Sequence, residues 1–155
     1  MVTNRVVDII GEGVDISLRM GPLNDSRLIA RKIVDLTRVV CPSPGYLARH
    51  GRPARPSDLV QHSCLTVSRN PGSATWLFRV NRKPVRAHVK SPISADSADM
   101  LLKSAIEGAG ILRLSENVVA GSIRKRLLQP LRDMQDPEAY PLYALLPPGR
   151  HHAPK

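Results

Sequence analysis

An α/β fold with substantially parallel sheets is the fold class that this sequence predicts. Short apolar segments with the composition of buried strands alternate along the chain with capped, amphipathic helical segments. The hydrophobic fraction of 42% over 155 residues is enough for a packed core, and the aromatic fraction of only 3% makes that core aliphatic. The sequence shows no internal repeat and no low-complexity linker, so these elements belong to one domain.

Apolar runs bounded by glycine, proline or polar clusters predict the strands. Residues 14–20 are mostly apolar and alternate imperfectly, which is typical of an inner strand. Residues 28–41 are β-prone but carry several charges, so they form either two strands or one long strand. Residues 81–84 separate two apolar runs and predict a hairpin. The other predicted strands span residues 65–69, 75–80, 85–90, 111–114, 127–131 and 142–146.

Cap residues mark the predicted helices. The strongest helix is residues 97–107, which Asp96 or Ser97 caps and Gly108 ends. A second helix begins with Ser43 as its cap and proline in its first turn. The remaining helical segments are predicted at residues 6–10, 56–61 and 115–123.

The sequence is strongly basic. Lys and Arg number 23 against 13 Asp and Glu, which gives a formal net charge of +10. Such a balance suits anionic partners such as nucleic acid, a membrane surface or an acidic ligand. The basic residues are spread along the chain, however, and the longest run is Arg124-Lys125-Arg126. Without a basic stripe that carries interleaved aromatics, the distribution favours a generically basic surface over a nucleic-acid interface.

The cysteines and the N-terminus indicate a reducing compartment. Cys41 and Cys64 are the only cysteines and lack CxxC spacing, so two reduced and mostly buried thiols are favoured. A disulfide would require the fold to bring them together. The N-terminus mixes polar and charged residues into its apolar ones, unlike a signal peptide, and no apolar run is long enough to span a membrane. We therefore expect a cytoplasmic protein without membrane association.

No motif predicts catalysis or a bound cofactor. The five histidines show no HExxH pattern and no Cys/His metal spacing, and no G-x-S-x-G segment supports a hydrolase. Gly11-Glu12-Gly13 and Gly108-Ala109-Gly110 lack the third glycine of a dinucleotide fingerprint and are interpreted as turns. We expect neither an enzyme, nor a cofactor, nor a metal site.

Several segments, taken in order, resemble the effector-binding domain of LysR-type transcriptional regulators. The segment EGVDISLRMG resembles the one that ends the first-lobe sheet of that family. The crossover and the opening of the second lobe are resembled by LIARKIVDLTRVVCPSPGYLARHGRPARPSDLVQHSCL. The second-lobe hairpin and helix resemble WLFR with VRAHVKSPISADSADMLLKSAIEGAGI, and the return strand resembles PLYALLPPGRH. The resemblance runs over residues 6–150. It implies a two-lobed fold of the type II periplasmic-binding-protein class that senses a small molecule.

The sequence also departs from the family's pattern. The helix-turn-helix module, the opening strands and first helix of lobe one, and its closing helix have no counterpart, so the resemblance implies a truncated regulator. It assigns residues 1–33 to a partial lobe one, residues 34–143 to a nearly complete lobe two, and residues 144–155 to the end of the return strand and a frayed tail. We expect the apolar face of residues 14–18 to have few partners, which favours self-association. Arg126 stands where the family often has a glycine at a helix end.

The resemblance places the effector in the cleft between the lobes. An arginine beside a helix N-terminus suits a carboxylate, so a small organic anion is the expected effector. An alternative to effector binding is that Asp96 and Ser97 only cap the helix. Arg19 can likewise be a solvated charge at the end of a strand. The candidate effector-binding residues are Arg19, Gly21, Pro22, Val67, Ser68, Arg69, Ala95, Asp96 and Ser97.

The resemblance also implies partners. These are the effector and LysR-type subunits in a homo- or hetero-dimer, with DNA contacted only through the N-terminal module that this sequence does not contain. Two alternatives stay open: a non-sensing fragment that pairs with full-length regulators, and a solute-binding protein of the same fold. The lack of an export signal argues against the second.

Overall fold

The computed structural model describes residues 8, 11–21, 23, 28–67, 74–134 and 140–148. The strands are β1 (Ser17–Met20), β2 (Ile29–Leu36), β3 (Arg38–Cys41), β4 (Ser63–Val67), β5 (Thr75–Val80), β6 (Lys83–His88), β7 (Lys90–Ala95), β8 (Ile111–Ser115) and β9 (Tyr140–Leu146). The helices are α1 (Pro44–His50), α2 (Ala98–Ile106) and α3 (Glu116–Arg124), with a 3-10 helix at Pro56–Gln61. Within the described ranges, no helix has the length and apolar character needed to cross a membrane.

The chain divides into two compact units. Unit 1 comprises Met1–Leu36 and Ala139–Lys155, and unit 2 comprises Thr37–Glu138. The β-prone run of residues 28–41 forms two strands, β2 and β3, which fall in different units. The predicted first helix lies outside the described residues, apart from Asp8.

Unit 1 contains an antiparallel sheet with the strand order β1-β9-β2. The prediction of an inner strand at residues 14–20 is wrong, because β1 lies at an edge and pairs with β9 alone in the described part of the chain. The prediction that its apolar face has few partners is confirmed: Ile16 is 57% exposed and Leu18 is 64% exposed. Met20, Ile29, Ile33 and Val34 are exposed as well.

Unit 2 is built on a four-stranded sheet with the order β3-β8-β4-β7. β4 is parallel to β7 and to β8, whereas β3 is antiparallel to β8, so the sheet is mixed rather than fully parallel. One hydrophobic cluster joins Tyr46, Leu59 and Ile111 to the β5–β6 hairpin, and a second packs Leu101 and Ala105 of α2 against other residues of the sheet. β7 was not predicted from the sequence, because Pro92 and two serines obscure its apolar alternation.

The β5–β6 hairpin turns more tightly than the sequence predicts. Val80 pairs with Lys83, so Asn81 and Arg82 alone form the turn, with φ of 50° and 64°. Two left-handed residues are the requirement of a type I′ turn, which matches the twist of the flanking strands. Lys83 and Pro84, expected in the loop, are therefore the first residues of β6.

The strand predicted at residues 127–131 is wrong. Pro130 has no N–H and cannot donate to a ladder, so the segment follows β3 with isolated bonds only. The N–H groups of Gln129 and Leu131 donate to the carbonyls of Pro42 and Val40, at 2.8 Å each. Arg126 just before it has a φ of 58°, a left-handed conformation that explains why a glycine would be favoured there.

The cysteine prediction is confirmed, because Cys41 and Cys64 are free and buried. Both pair with β8, Cys41 opposite Leu112 and Cys64 opposite Ile111. Two strand spacings separate them by about 9–10 Å, beyond the reach of a disulfide. Burial raises the pKa of each thiol to about 12, so neither is a reactive thiolate near neutral pH.

Candidate functional site

The carboxyl ends of the parallel strands form the main candidate site in unit 2. β4, β7 and β8 run in the same direction, so Val67, Ala95 and Ser115 end at one edge of the sheet. Val67 lies directly opposite Ala95 in the ladder. In open α/β sheets this edge is where ligands bind, since the loops and helix starts that follow the strands converge there.

Helix α2 begins at this edge. The Ser97 hydroxyl accepts a hydrogen bond from the N–H of Met100 at 3.3 Å, which identifies Ser97, rather than Asp96, as the cap. Ser97 is half-buried, whereas Asp96 is exposed. Asp99 lies in the first turn, so two carboxylates flank a helix start whose N–H groups attract anions. An anionic ligand bound here would need a cation beside it to offset them.

A second helix start strengthens the same edge. The N–H of Glu116 donates to the carbonyl of Thr37 at 2.8 Å, and the Thr37 hydroxyl donates to the Glu116 carboxylate at 2.9 Å. Ser115 occupies the predicted cap position of α3, but its side chain makes no capping hydrogen bond. The Thr37–Glu116 pair therefore fixes the beginning of α3.

A cluster of hydroxyl groups lies next to Val67 and Ala95, and it was not predicted from the sequence. Thr66 is buried, and its hydroxyl is hydrogen-bonded to that of Ser91 and, at 3.5 Å, to that of Ser94. The cluster depends on the pairing of β4 with β7, which the sequence did not reveal. Hydroxyls both donate and accept, so the cluster suits a neutral or anionic polar ligand.

The candidate residues of the sequence are only partly brought together. Val67, Ala95, Asp96 and Ser97 share the carboxyl edge of unit 2. Pro22, Ser68 and Arg69 lie outside the described residues, and Arg19 and Gly21 belong to unit 1.

In unit 1, Arg19 and Gly21 lie beside β9. Arg19 is half-buried opposite Tyr143. The N–H of Gly21 donates to the carbonyl of Pro141 at 2.9 Å, with a φ of 95°. A Cβ on Gly21 would lie 2.8 Å from the Tyr140 hydroxyl, which a shift of that side chain could relieve, so the backbone angle is the main reason for glycine here.

The described residues contain no group of three or more side chains that could hold a metal ion. Every buried side-chain nitrogen or oxygen among them has a hydrogen-bond partner. The edge can therefore bind a polar molecule through hydroxyls and helix N–H groups.

A separate polar cluster lies in the core of unit 2. The N–H of Ser63 donates to the Tyr46 oxygen at 3.1 Å, and the Tyr46 hydroxyl lies 3.2 Å from Nδ1 of His62. The ring of His50 stacks on Tyr46 with centroids 4.5 Å apart. Burial, and then the nearby His50, lower the pKa of His62, while Asp58 opposes them.

We expect acid to destabilise unit 2 through His62. The ordinary histidine pKa is 6.5 and the folded pKa is lower, so the unfolded state binds more protons below pH 6.5. The contribution of neutral His62 to the free energy of unfolding is therefore fully present above that pH and is lost as the pH falls towards and through the folded pKa. Melting curves between pH 7.5 and 5, followed by Trp76 fluorescence, should show a smaller loss in His62→Gln, which keeps an acceptor for Tyr46 but does not titrate. An unchanged pH slope in His62→Gln, or an equal reduction in the exposed His88→Gln control, would contradict the assignment.

Comparisons with known proteins agree on one family. The sequence model described as "LysR substrate binding domain" matches residues 1–155. The HTH-type transcriptional regulator DmlR of Escherichia coli is 34% identical over 128 residues, covering 79% of this chain and 42% of DmlR. The HTH-type transcriptional regulator CrgA of Neisseria meningitidis is 36% identical over 127 residues, covering 81% of this chain and 42% of CrgA.

The solved structures agree with this result. The regulatory domain of CrgA superposes with a TM-score of 0.79 at 31% identity, covering 90% of this chain and 68% of that domain. The chain spans about half the length of the curated relatives it matches.

Proposed function

The chain belongs to the LysR substrate-binding domain family, with its type II periplasmic-binding-like α/β fold, and we propose that it binds a small organic effector at the carboxyl edge of its four-stranded sheet. The matched relatives are transcriptional regulators, which supports a regulatory rather than an enzymatic role. The observation that carries the proposal is the convergence of Val67, Ala95 and the start of α2 at one edge.

The chemistry of this edge favours a polar effector with an anionic group. The N-terminal N–H groups of α2 attract negative charge, and the hydroxyl cluster of Thr66, Ser91 and Ser94 lies beside it. Asp96 and Asp99 oppose an anion, so a cation must contribute. We propose an arginine for that role, because a guanidinium can bind a carboxylate with two parallel hydrogen bonds.

The proposed role in a regulator is conformational. Effector binding biases one arrangement of the domain over another, by as much as the effector's affinities for the two arrangements differ. In a complete regulator we propose that this change reaches DNA through an N-terminal helix-turn-helix module and through pairing with a second LysR-type subunit. The compartment that fits this role, and the two buried free thiols, is the cytoplasm.

A second candidate is a fragment that pairs with other subunits without sensing an effector. The exposed apolar side chains of β1 and β2 favour it, because an uncovered apolar face stabilises self-association. Light scattering after size-exclusion chromatography distinguishes the two candidates when combined with the ligand screen. A stable dimer that no small molecule affects would support the second candidate.

Thermal-shift measurements with benzoate, succinate and phosphate test the sensing proposal, each against sodium chloride at equal ionic strength. We expect at least one of the organic anions to raise the melting temperature. An anion at 100 times its Kd stabilises the folded state by about 2.7 kcal/mol. Benzoate, succinate and phosphate all matching the salt control would count against an anionic effector.

A further inference from the structure

The β5–β6 hairpin gathers basic side chains that look dispersed in the sequence. Leu77 pairs with Arg86 and Arg79 pairs with Pro84, so Arg79 and Arg86 are diagonal neighbours on the same face. Arg82 lies in the two-residue turn, whereas Lys83 pairs with Val80 and therefore belongs to the opposite face, at the tip of the hairpin. We call the four residues Arg79, Arg82, Lys83 and Arg86 the basic ribbon; all four are exposed.

The hairpin itself carries no acidic residue. Residues 74–95 contain neither aspartate nor glutamate. Within the described part of the chain, Arg82, Lys83 and Arg86 form no ion pair. Their charges are therefore available to an external anion.

The face of the hairpin opposite Arg79 and Arg86 packs into the core of unit 2. Trp76, Phe78 and Ala87 are buried in the core. The guanidinium of Arg113 lies 5.7 Å from the ring centroids of both Trp76 and Phe78. A backbone fixed in this way presents its cations without a large ordering cost on binding.

We propose that the basic ribbon binds the phosphate backbone of duplex DNA. Clustered Arg and Lys side chains without acidic neighbours attract phosphates irrespective of base sequence. An anionic membrane is the less favoured partner, because binding at a membrane interface needs exposed apolar side chains beside the cations. None of the exposed large hydrophobic residues of the described chain lies in the hairpin. The contact would supplement, without base specificity, whatever sequence recognition a regulator makes elsewhere.

Fluorescence anisotropy with a labelled 30-base-pair duplex of arbitrary sequence tests the proposal on the full chain. The variant R82N/K83Q/R86Q removes three cations, with asparagine at Arg82 because asparagine tolerates the left-handed conformation. The control variant R124Q/K125Q/R126N removes the same charge from the longest basic run, and its asparagine likewise replaces a left-handed arginine (φ 58°). Trp76 emission checks that both variants keep the fold.

We expect the chain to bind the duplex at 50 mM salt and to release it as salt is added. Each lost phosphate contact reduces the magnitude of the slope of log K against log salt by about 1. The slope should therefore be smaller by about 3 in the ribbon variant and should change far less in the control. Affinity of the ribbon variant at 50 mM salt should fall by about tenfold or more. Equal weakening in both variants would reduce the effect to net charge and overturn the proposal. Absence of duplex binding would overturn it too, and ribbon-dependent binding to phosphatidylglycerol vesicles would then identify the membrane as the partner.

Discussion

Gly110→Ala is expected to destabilise unit 2 by about 3 kcal/mol, at the upper end of the usual cost of overpacking. Gly110 lies just before β8, where the chain passes close to β4. A Cβ on Gly110 would lie 2.6 Å from the backbone oxygen of Ser63 and 3.1 Å from a methyl group of Leu65. A backbone oxygen in a sheet cannot move aside as a flexible side chain can, so β4 and β8 would have to separate.

Urea denaturation followed by the fluorescence of Trp76 measures this effect. Trp76 is the only tryptophan and is buried in unit 2, so its emission reports that unit alone. Gly121→Ala is the matched control, because Gly121 lies in α3 with no heavy atom within 4 Å of a Cβ. Alanine in a helix interior should stabilise by about 0.5–1 kcal/mol. An unchanged midpoint for Gly110→Ala would show that the strands are not as close as described.

Ser97→Asp is expected to abolish most of the affinity for an anionic effector while leaving the fold intact. Aspartate caps a helix as well as serine does, so α2 should remain stable. Its carboxylate, however, adds negative charge at the helix start where the anion would bind. We expect Kd for whichever organic anion stabilises the wild type to rise by about tenfold or more, or at least about 1.4 kcal/mol.

Isothermal titration of that anion measures the change. Gln129→Glu supplies the matched control, since it adds the same charge at an exposed position. The N–H of Gln129 bonds to Pro42, which follows the antiparallel strand β3, so Gln129 lies at the other edge of the sheet. Wild-type affinity in Ser97→Asp would exclude the start of α2 from the site. An equal loss in both variants would indicate an effect of net charge rather than of position.

The start of α2 shows where sequence reasoning succeeds. The cap was expected at Asp96 or Ser97, and it is Ser97, because capping is local: the serine hydroxyl accepts a hydrogen bond from an N–H three residues away, and the apolar pattern of α2 follows at once. The α/β fold class was predicted, and the family match confirms it. The hydroxyls of Ser91 and Ser94 were missed because their importance comes from Thr66, more than twenty residues earlier and on a neighbouring strand.

The sequence by itself determined the properties that depend on neighbouring residues. Those are the caps of α1 and α2, the order of most elements, a mostly aliphatic core and the ordered segments that indicate the LysR family. Only the tertiary structure decided which strands pair. Strand pairing joined Thr66 to the serines of β7, moved β1 to an edge, kept Cys41 and Cys64 apart, and collected the basic ribbon on one hairpin. The reason is physical: hydrogen bonds between strands join residues far apart in the chain, so the local pattern of one segment does not identify its partner strand.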